Sequence, residues 1–301
     1  GLAERAVAWV ASGGVVRRRA RGRTLVLAYH NVLPVGQPAL GDRSLHLAFA
    51  EFCTQLDLLQ AHCEIVALPS LLRPANRGEG PRVGITFDDA YRGAVIAGVA
   101  ELVRRGLPAT IFVAPGLLGD RSFWWDQAAE GAGAPEVPPA IRVRALGPCR
   151  GSHDLIRADW RRQGFSLDGV ALPPALRSAT EAEVTAAAAQ PGISLGAHSW
   201  SHPNLVALED VSLQMELDRP LAWLRARYPA AAICWLAYPY GLHDPRVHAG
   251  ATRTGFAAAL RVEGGWLRQG EVPGLQTPRL NVPAGISAER FRIQLSALPW
   301  L

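Results

Sequence analysis

The chain has 301 residues, 49% hydrophobic and 19% charged, enough for one large domain with a sizeable core. No apolar run reaches the roughly 18 residues that a membrane-spanning helix needs. The net charge of +5 is carried by arginine alone, because the sequence contains no lysine, and no segment has the pattern of a nucleic-acid-binding module.

Residues 1–23 form a basic, helical extension with its arginines after the apolar part, the reverse of an export signal. The location expected from this is the cytoplasm or the inner membrane face. There, Arg17, Arg18, Arg19, Arg21 and Arg23 offer a peripheral docking patch, unless the arginines only reflect the base composition of the gene. The run "TLVLAYH" (24–30) reads as a buried parallel strand, and "LAFAEFCTQLDLLQAH" after it as an amphipathic helix. "CEIVALPSLL" returns to a strand and then a turn, and "RVGITF" is the next buried strand. "AVIAGVAELVRRG" is a helix that Gly106 stops, and "PATIFVAP" is again a strand. The four cysteines, Cys53, Cys63, Cys149 and Cys234, form no CxxC pair and read as small core residues of a reducing compartment.

Residues 119–190 break this rhythm. They are rich in Pro, Gly and Ala and read as an insertion or lid within a single domain spanning 1–301. The alternation resumes with the strand "GISLGAH", a helix over "VSLQMELDRPLAWLRARY" kinked at Pro220, the strand "AAICWLAYPYG", a short helix "PRVHAGATRTG" and a short strand "FAAAL". Repeated βα units predict an α/β fold with a mostly parallel sheet.

In such a fold the carboxyl ends of the strands carry the site. Here they end in His30, in Asp88 and Asp89, in His198 followed by His202, and in Tyr238, Pro239 and Tyr240. Taken alone, the two aspartates of "TFDD" are open between a helix cap, a metal site and an acid/base pair. With His198 and His202 beside it, Asp89 completes a set of two imidazoles and a carboxylate, suited to zinc or another late divalent ion. His30 is open between a loop hydrogen bond, a place in the pocket wall and metal ligation. His46, His62 and His153 read as surface or loop residues. Trp124, Trp125 and Trp200 are open between sugar stacking and ordinary packing, and Asp126 reads as a hydrogen-bonding residue of the lid.

"TFDD", "HSWSHPN" and "AYPYG", in this order, resemble the NodB-type polysaccharide deacetylases, carbohydrate esterase family 4. "LVLAYHNVLP", "GLPATIFVAPGLLG" and "FWWD" are similar to further segments of that family. The resemblance implies a distorted (β/α) barrel of about seven strands. It implies a metal-dependent hydrolase that removes an acetyl group from an N-acetylated sugar of a polysaccharide or glycoconjugate. It makes Asp89, His198 and His202 ligands of one divalent ion, zinc first, with Co, Ni or Mn as alternatives. It makes Asp88 the general base and the Tyr240 backbone N–H an oxyanion donor. His30, Trp125, Trp200 and Pro239 become candidates for substrate binding. The chain departs from the family pattern at three places. Ala90 stands where Gly is usual. Ala237 stands where many members have the arginine that orients the base, and Arg279 in "QTPRLNV" is the candidate to replace it. The late "LxH" histidine that protonates the leaving amine is missing, which leaves His30, His243, His248 or a bound water for that step. An O-acetyl esterase, an amidase of small glycoconjugates and an inactive glycan-binding protein are the alternatives.

Overall fold

The computed structural model describes residues 18–296 apart from Arg77, Phe165, Asp168 and Gln269, so Arg17 and most of the basic extension lie outside the described residues. A parallel sheet forms the centre. Its strands are β1 (Thr24–Tyr29), β4 (Glu64–Ile65), β5 (Arg82–Phe87), β6 (Ala109–Val113), β7 (Ile193–Ala197), β8 (Ala232–Ala237), β9 (Ala258–Leu260) and β10 (Leu280–Asn281). The main path runs β10-β1-β5-β6-β7-β8-β9, and β4 pairs with β5 off this path. Before β10 the chain makes a parallel bridge from Thr277 to Leu260 of β9, and then pairs Leu280 and Asn281 with Leu27 and Ala28 of β1. Seven parallel strands thus curl into the distorted barrel expected from the sequence. A small second sheet pairs β2 (Asn31–Leu33) with β3 (His46–Ala48) above this end.

Strand alternation sorts the core into two layers. Val26, Phe112, Trp235, Ala237, Ala258 and Leu260 pack with Leu68 and Leu71 in one buried cluster. Their strand neighbours Leu25, Leu27, Val83 and Ile85 pack outward with Phe52, Leu56 and Leu59 of α1 (Phe49–His62). The i, i+4, i+7 spacing of these three α1 residues is what makes that helix amphipathic. Two strand glycines permit close packing: a Cβ at Gly84 would lie 2.5 Å from Leu68, and one at Gly196 2.4 Å from Phe112. After β5 comes a π-helical turn (Ala94–Gly98) that leads into α2 (Val99–Arg105). Gly106, left-handed at φ 67°, ends α2.

Residues 119–190 hold four helices: α3 (Trp124–Gly131), α4 (Pro139–Leu146), α5 (His153–Arg162) and α6 (Glu181–Ala188). They share the main core, with Phe123, Trp124, Trp125, Ala129 and Ile156 in the same cluster as the strand residues. An antiparallel bridge Tyr91–Ser178 pins this segment to the loop after β5, and a second, Ser122–Arg177, joins its two ends. The chain then completes α7 (Asp210–Arg227), which runs on through Pro220, α8 (Pro245–Thr254) and α9 (Ala288–Leu295). Among the described residues, no helix is long and apolar enough to cross a membrane. Arg18, Arg19 and Arg21 are exposed near the amino end of β1, opposite the rim that carries "TFDD".

Candidate active site

Seven described non-glycine residues have a left-handed backbone, and five of them sit on the rim loops after β5, β7 and β8: Asp89 (φ 69°), Ala90 (52°), Ser199 (58°), His202 (57°) and Tyr240 (57°). Each such residue costs about 1–2 kcal/mol relative to ordinary backbone. Strain gathered in three loops at one end of a barrel marks that end as the functional one. It also gives the first departure from the motif a physical cost. Ala90 occupies a left-handed position where glycine is free of strain.

The loop between the two histidines is held from α7. The Glu216 carboxylate accepts from the backbone N–H of Trp200 (2.9 Å) and Ser201 (2.8 Å) and from the Ser201 hydroxyl (2.7 Å). His202 N–H donates to Ser199 Oγ at 3.0 Å. These bonds bring His198 and His202 to the same point as Asp89. Asp89 Oδ1 lies 3.4 Å from His198 Nε2 and 3.2 Å from His202 Nε2, and the two ring nitrogens are 3.1 Å apart. All three residues are buried. His198 donates from Nδ1 to the Ala237 carbonyl at 2.7 Å, so its Nε2 carries a lone pair toward the cluster. Asp89 Oδ1 is buried without a hydrogen-bond donor. A buried acceptor without a donor, facing two imidazoles, is what a divalent cation satisfies, so the residues fit the ion that the motifs imply.

Asp88 takes a different environment. Arg279, fully buried, donates from both terminal nitrogens to the two Asp88 oxygens at 2.7 and 2.6 Å. Its Nε donates to the Arg261 carbonyl at 3.0 Å, and the nitrogen that reaches Asp88 Oδ1 also donates to Thr86 Oγ1 at 3.2 Å. Burial pushes the Asp88 carboxyl up, but the Arg279 guanidinium and then His198 outweigh it and hold the carboxyl far below the usual carboxylate range. For His198, burial opposes the charged ring, but Asp88 and Asp89 raise its pKa overall. Burial leads the shift of His202 down to about 3. These groups lie in a cavity of about 400 Å³, whose wall includes His30, Trp124, Trp125, Tyr240 and Asn281.

A sequence model of the family described as polysaccharide deacetylase matches residues 75–259, more than half of the chain and the whole stretch from "TFDD" through "AYPYG". The chain belongs to the polysaccharide deacetylase family. Solved structures agree on the fold. IcaB from Ammonifex degensii is 20% identical with a TM-score of 0.61, over 92% of this chain and 98% of that one. The Streptococcus pyogenes deacetylase PplD, solved with acetate, is 14% identical with a TM-score of 0.60, over 91% and 98%. The Bacillus cereus polysaccharide deacetylase BC0361 is 14% identical with a TM-score of 0.62, over 91% and 69%. No curated protein matches the sequence.

Within this deacetylase, the other sequence candidates fall in different places. His30 and Trp125 are in the cavity wall, and the Trp125 ring centroid is 5.1 Å from that of His202. At 4% exposure Trp125 is a wall residue, stacked on Phe123 with ring centroids 4.8 Å apart. Trp200 is not among the residues lining the cavity, and its ring lies 4.0 Å under the Arg219 guanidinium. Pro239 is buried and also outside the lining; it begins the turn that carries Tyr240. His243 and His248 pair with each other at 2.9 Å next to Tyr238, outside the cavity lining.

The loop reading of His46 is corrected. His46 is 2% exposed, and its Nε2 donates to Asp126 Oδ1 at 2.9 Å. His62 and His153 are half-buried. Asp126, fully buried, also accepts from the Asp42 N–H (3.0 Å) and the Tyr91 hydroxyl (2.6 Å), while Tyr91 accepts from Trp125 Nε1 (2.6 Å). This network fixes Trp125 against His202, and it joins residues 80 and 84 positions apart. "FWWD" was its one sequence signal. Glu216 has none, because it lies in an ordinary helix and acts through backbone N–H groups.

Proposed function

We propose that the protein is a metal-dependent deacetylase of an N-acetylated sugar in a polysaccharide or glycoconjugate. The observation that carries this reading is the unpartnered Asp89 oxygen facing His198 and His202, next to an Asp88 carboxylate gripped by Arg279. Asp89, His198 and His202 would hold the ion, zinc by the preference of such a set. When bound, a divalent ion polarises the acetyl carbonyl and lowers the pKa of a nearby water. Asp88 is assigned to take the proton of the attacking water. Arg279 orients Asp88 and keeps it ionised. The Tyr240 backbone N–H, set by its left-handed turn, is assigned to the developing oxyanion.

His30 is assigned to carry the proton to the leaving amine, because it shares the cavity with Asp88 while His243 and His248 do not. Burial lowers its pKa, and Asp88 and Asp89 pull the other way, so the ring starts neutral and gains its proton during turnover. The test is acetate release from N-acetylated oligosaccharides by metal-loaded protein, with and without chelator, and with the Asp88→Asn variant. We expect Asp88→Asn to keep the metal and lose turnover. If metal-loaded protein hydrolyses no acetylated glycan or glycoconjugate, the reading is wrong.

A further inference from the structure

The loops around the cavity are tied to each other in a ring. From the loop that joins β2 to β3, Arg43 N–H donates to the Pro135 carbonyl at 2.8 Å, and Asp42 Oδ2 accepts from Val137 N–H at 3.4 Å. The segment leading into α4 is therefore bound to that loop. On the other side of the mouth, the stretch between α4 and α5 meets the loops after β7 and β8. Asn204 N–H donates to the Arg150 carbonyl at 2.8 Å, Asn204 Nδ2 to Leu146 O at 3.0 Å, and the Tyr240 hydroxyl to Gly151 O at 3.2 Å. Next round the rim, Gly241 abuts Val262 so closely that a Cβ on it would lie 2.9 Å from Val262 Cβ. Arg261, the neighbour of Val262, donates from its N–H to Thr277 O at 3.0 Å and accepts from Arg279 Nε. After β10, Ala284 N–H donates to Ser44 O at 2.9 Å and returns the ring to the first loop.

We infer that this collar admits the acetylated sugar only by its end. The substrates are then the terminal sugar of a chain or a short glycoconjugate, and internal sugars of a long polymer are excluded. This rests on the deacetylase reading and deepens it. A polymer lying across a reactive centre needs an exit on each side of it. Here the 119–190 segment crosses the rim from the β2–β3 loop to the β7 and β8 loops, and closes one side with backbone and side-chain hydrogen bonds at both ends. The cavity of about 400 Å³ is at the small end of the roughly 300–1,000 Å³ typical of pockets that enclose a small ligand. Asp88, Asp89, His198 and His202 line it together with the collar residues Asp42, Ser44, Val137, Tyr240 and Val262.

The experiment uses the full, metal-loaded chain. The probes are N-acetylglucosamine oligomers from dimer to hexamer, soluble glycol chitin and a small aryl acetate. Products are sequenced by mass spectrometry and acetate is counted. The collar predicts that each oligomer loses a single acetyl group, at a terminal sugar. It also predicts that glycol chitin, at equal acetyl concentration, reacts at least about tenfold more slowly than the dimer. Loss of internal acetyl groups, or equal rates per acetyl group on polymer and dimer, overturns the collar while leaving the deacetylase intact. No acetate from any probe, the aryl acetate included, sinks the deacetylase reading instead.

Discussion

Replacing Arg279 by Met tests the pairing that sets Asp88 apart from Asp89. Both partners are almost fully buried, the arginine at 0% and the aspartate at 2% side-chain exposure, and they share two short hydrogen bonds. Met fills much of the arginine stem but leaves a buried carboxylate without its counter-charge. Breaking a buried pair in this way costs about 3–5 kcal/mol. In a protein of this size that moves the urea midpoint down by roughly 1 M. The cost depends on pH with a definite sign. In the parent protein the Asp88 pKa is depressed, so its contribution is fully present above the ordinary carboxylate pKa and is lost only as pH falls through the depressed value. In Arg279→Met, burial acts without opposition from Arg279 and raises the Asp88 pKa. The penalty then grows with pH above about 4 and shrinks when the carboxyl protonates. Urea unfolding at pH 7.5 and pH 4.5, with chelator in both proteins, reads the gap directly. It should be several kcal/mol at the higher pH and clearly smaller at the lower. Activity should show the same change, with the acid limb of kcat/KM moving to higher pH in the variant. A gap below about 1 kcal/mol, or one that does not change with pH, refutes the argument that Arg279 neutralises a buried Asp88.

Glu216→Ala removes the clamp on the loop that carries His202 and touches no proposed ligand. Losing a group that orients ligands in this way should weaken zinc affinity about 10–100-fold, measured by competition with a chelating dye, and Glu216→Gln should recover part of it. Unchanged affinity in the alanine variant would mean that the strained turn holds itself. The second concerns acid stability. Hydrogen bonding from Arg104, opposed by burial and reinforced by Arg105, brings the Glu101 carboxyl down to about 2. A depressed carboxyl stabilises the fold above its ordinary pKa and stops doing so as pH falls through about 2. Glu101→Gln should therefore lose on the order of 2 kcal/mol at pH 6, the scale of a charged hydrogen bond, and the difference should shrink steadily toward pH 2. Parallel urea curves that keep the same separation at both ends would contradict it.

The barrel was legible because its strands are short buried runs and its helices have a 3.6-residue spacing: "RVGITF" is the strand as read, and "TLVLAYH" and "PATIFVAP" hold strands that are one to three residues shorter. The residues 119–190 were legible only as an interruption. Their helices are short, and α4 and α6 lack a strong apolar stripe, since they complete a core that the barrel already provides. Local pattern does not record such long-range burial. The same reason hid His46. A histidine in "RSLHLAF" has no local sign of burial, and its partners, Asn31 and an aspartate 80 residues later, come from other elements. Trp200 shows the opposite error of proximity. It lies between the two histidines in sequence, but Glu216 ties its backbone and Arg219 covers its ring.

How two adjacent carboxylates can take two jobs follows from the backbone between them. Asp88 still belongs to the ladder, with its N–H donating to the Tyr29 carbonyl at 2.9 Å, so its side chain takes the direction the strand dictates and meets Arg279, the residue just before β10. At Asp89 the chain turns left-handed, φ 69°, and the next side chain, freed from strand alternation, swings to His198 and His202. A regular strand would have sent Asp89 to the opposite face of the sheet. The strain at Asp89 and Ala90 is thus what places both acids on one rim. Their environments then separate them: one carboxylate is saturated by a guanidinium, and the other keeps an oxygen with no donor. On this argument an insertion or deletion of one residue between Phe87 and Tyr91 would disable the site more thoroughly than substituting any one of its residues, because it would take the two acids off their shared rim.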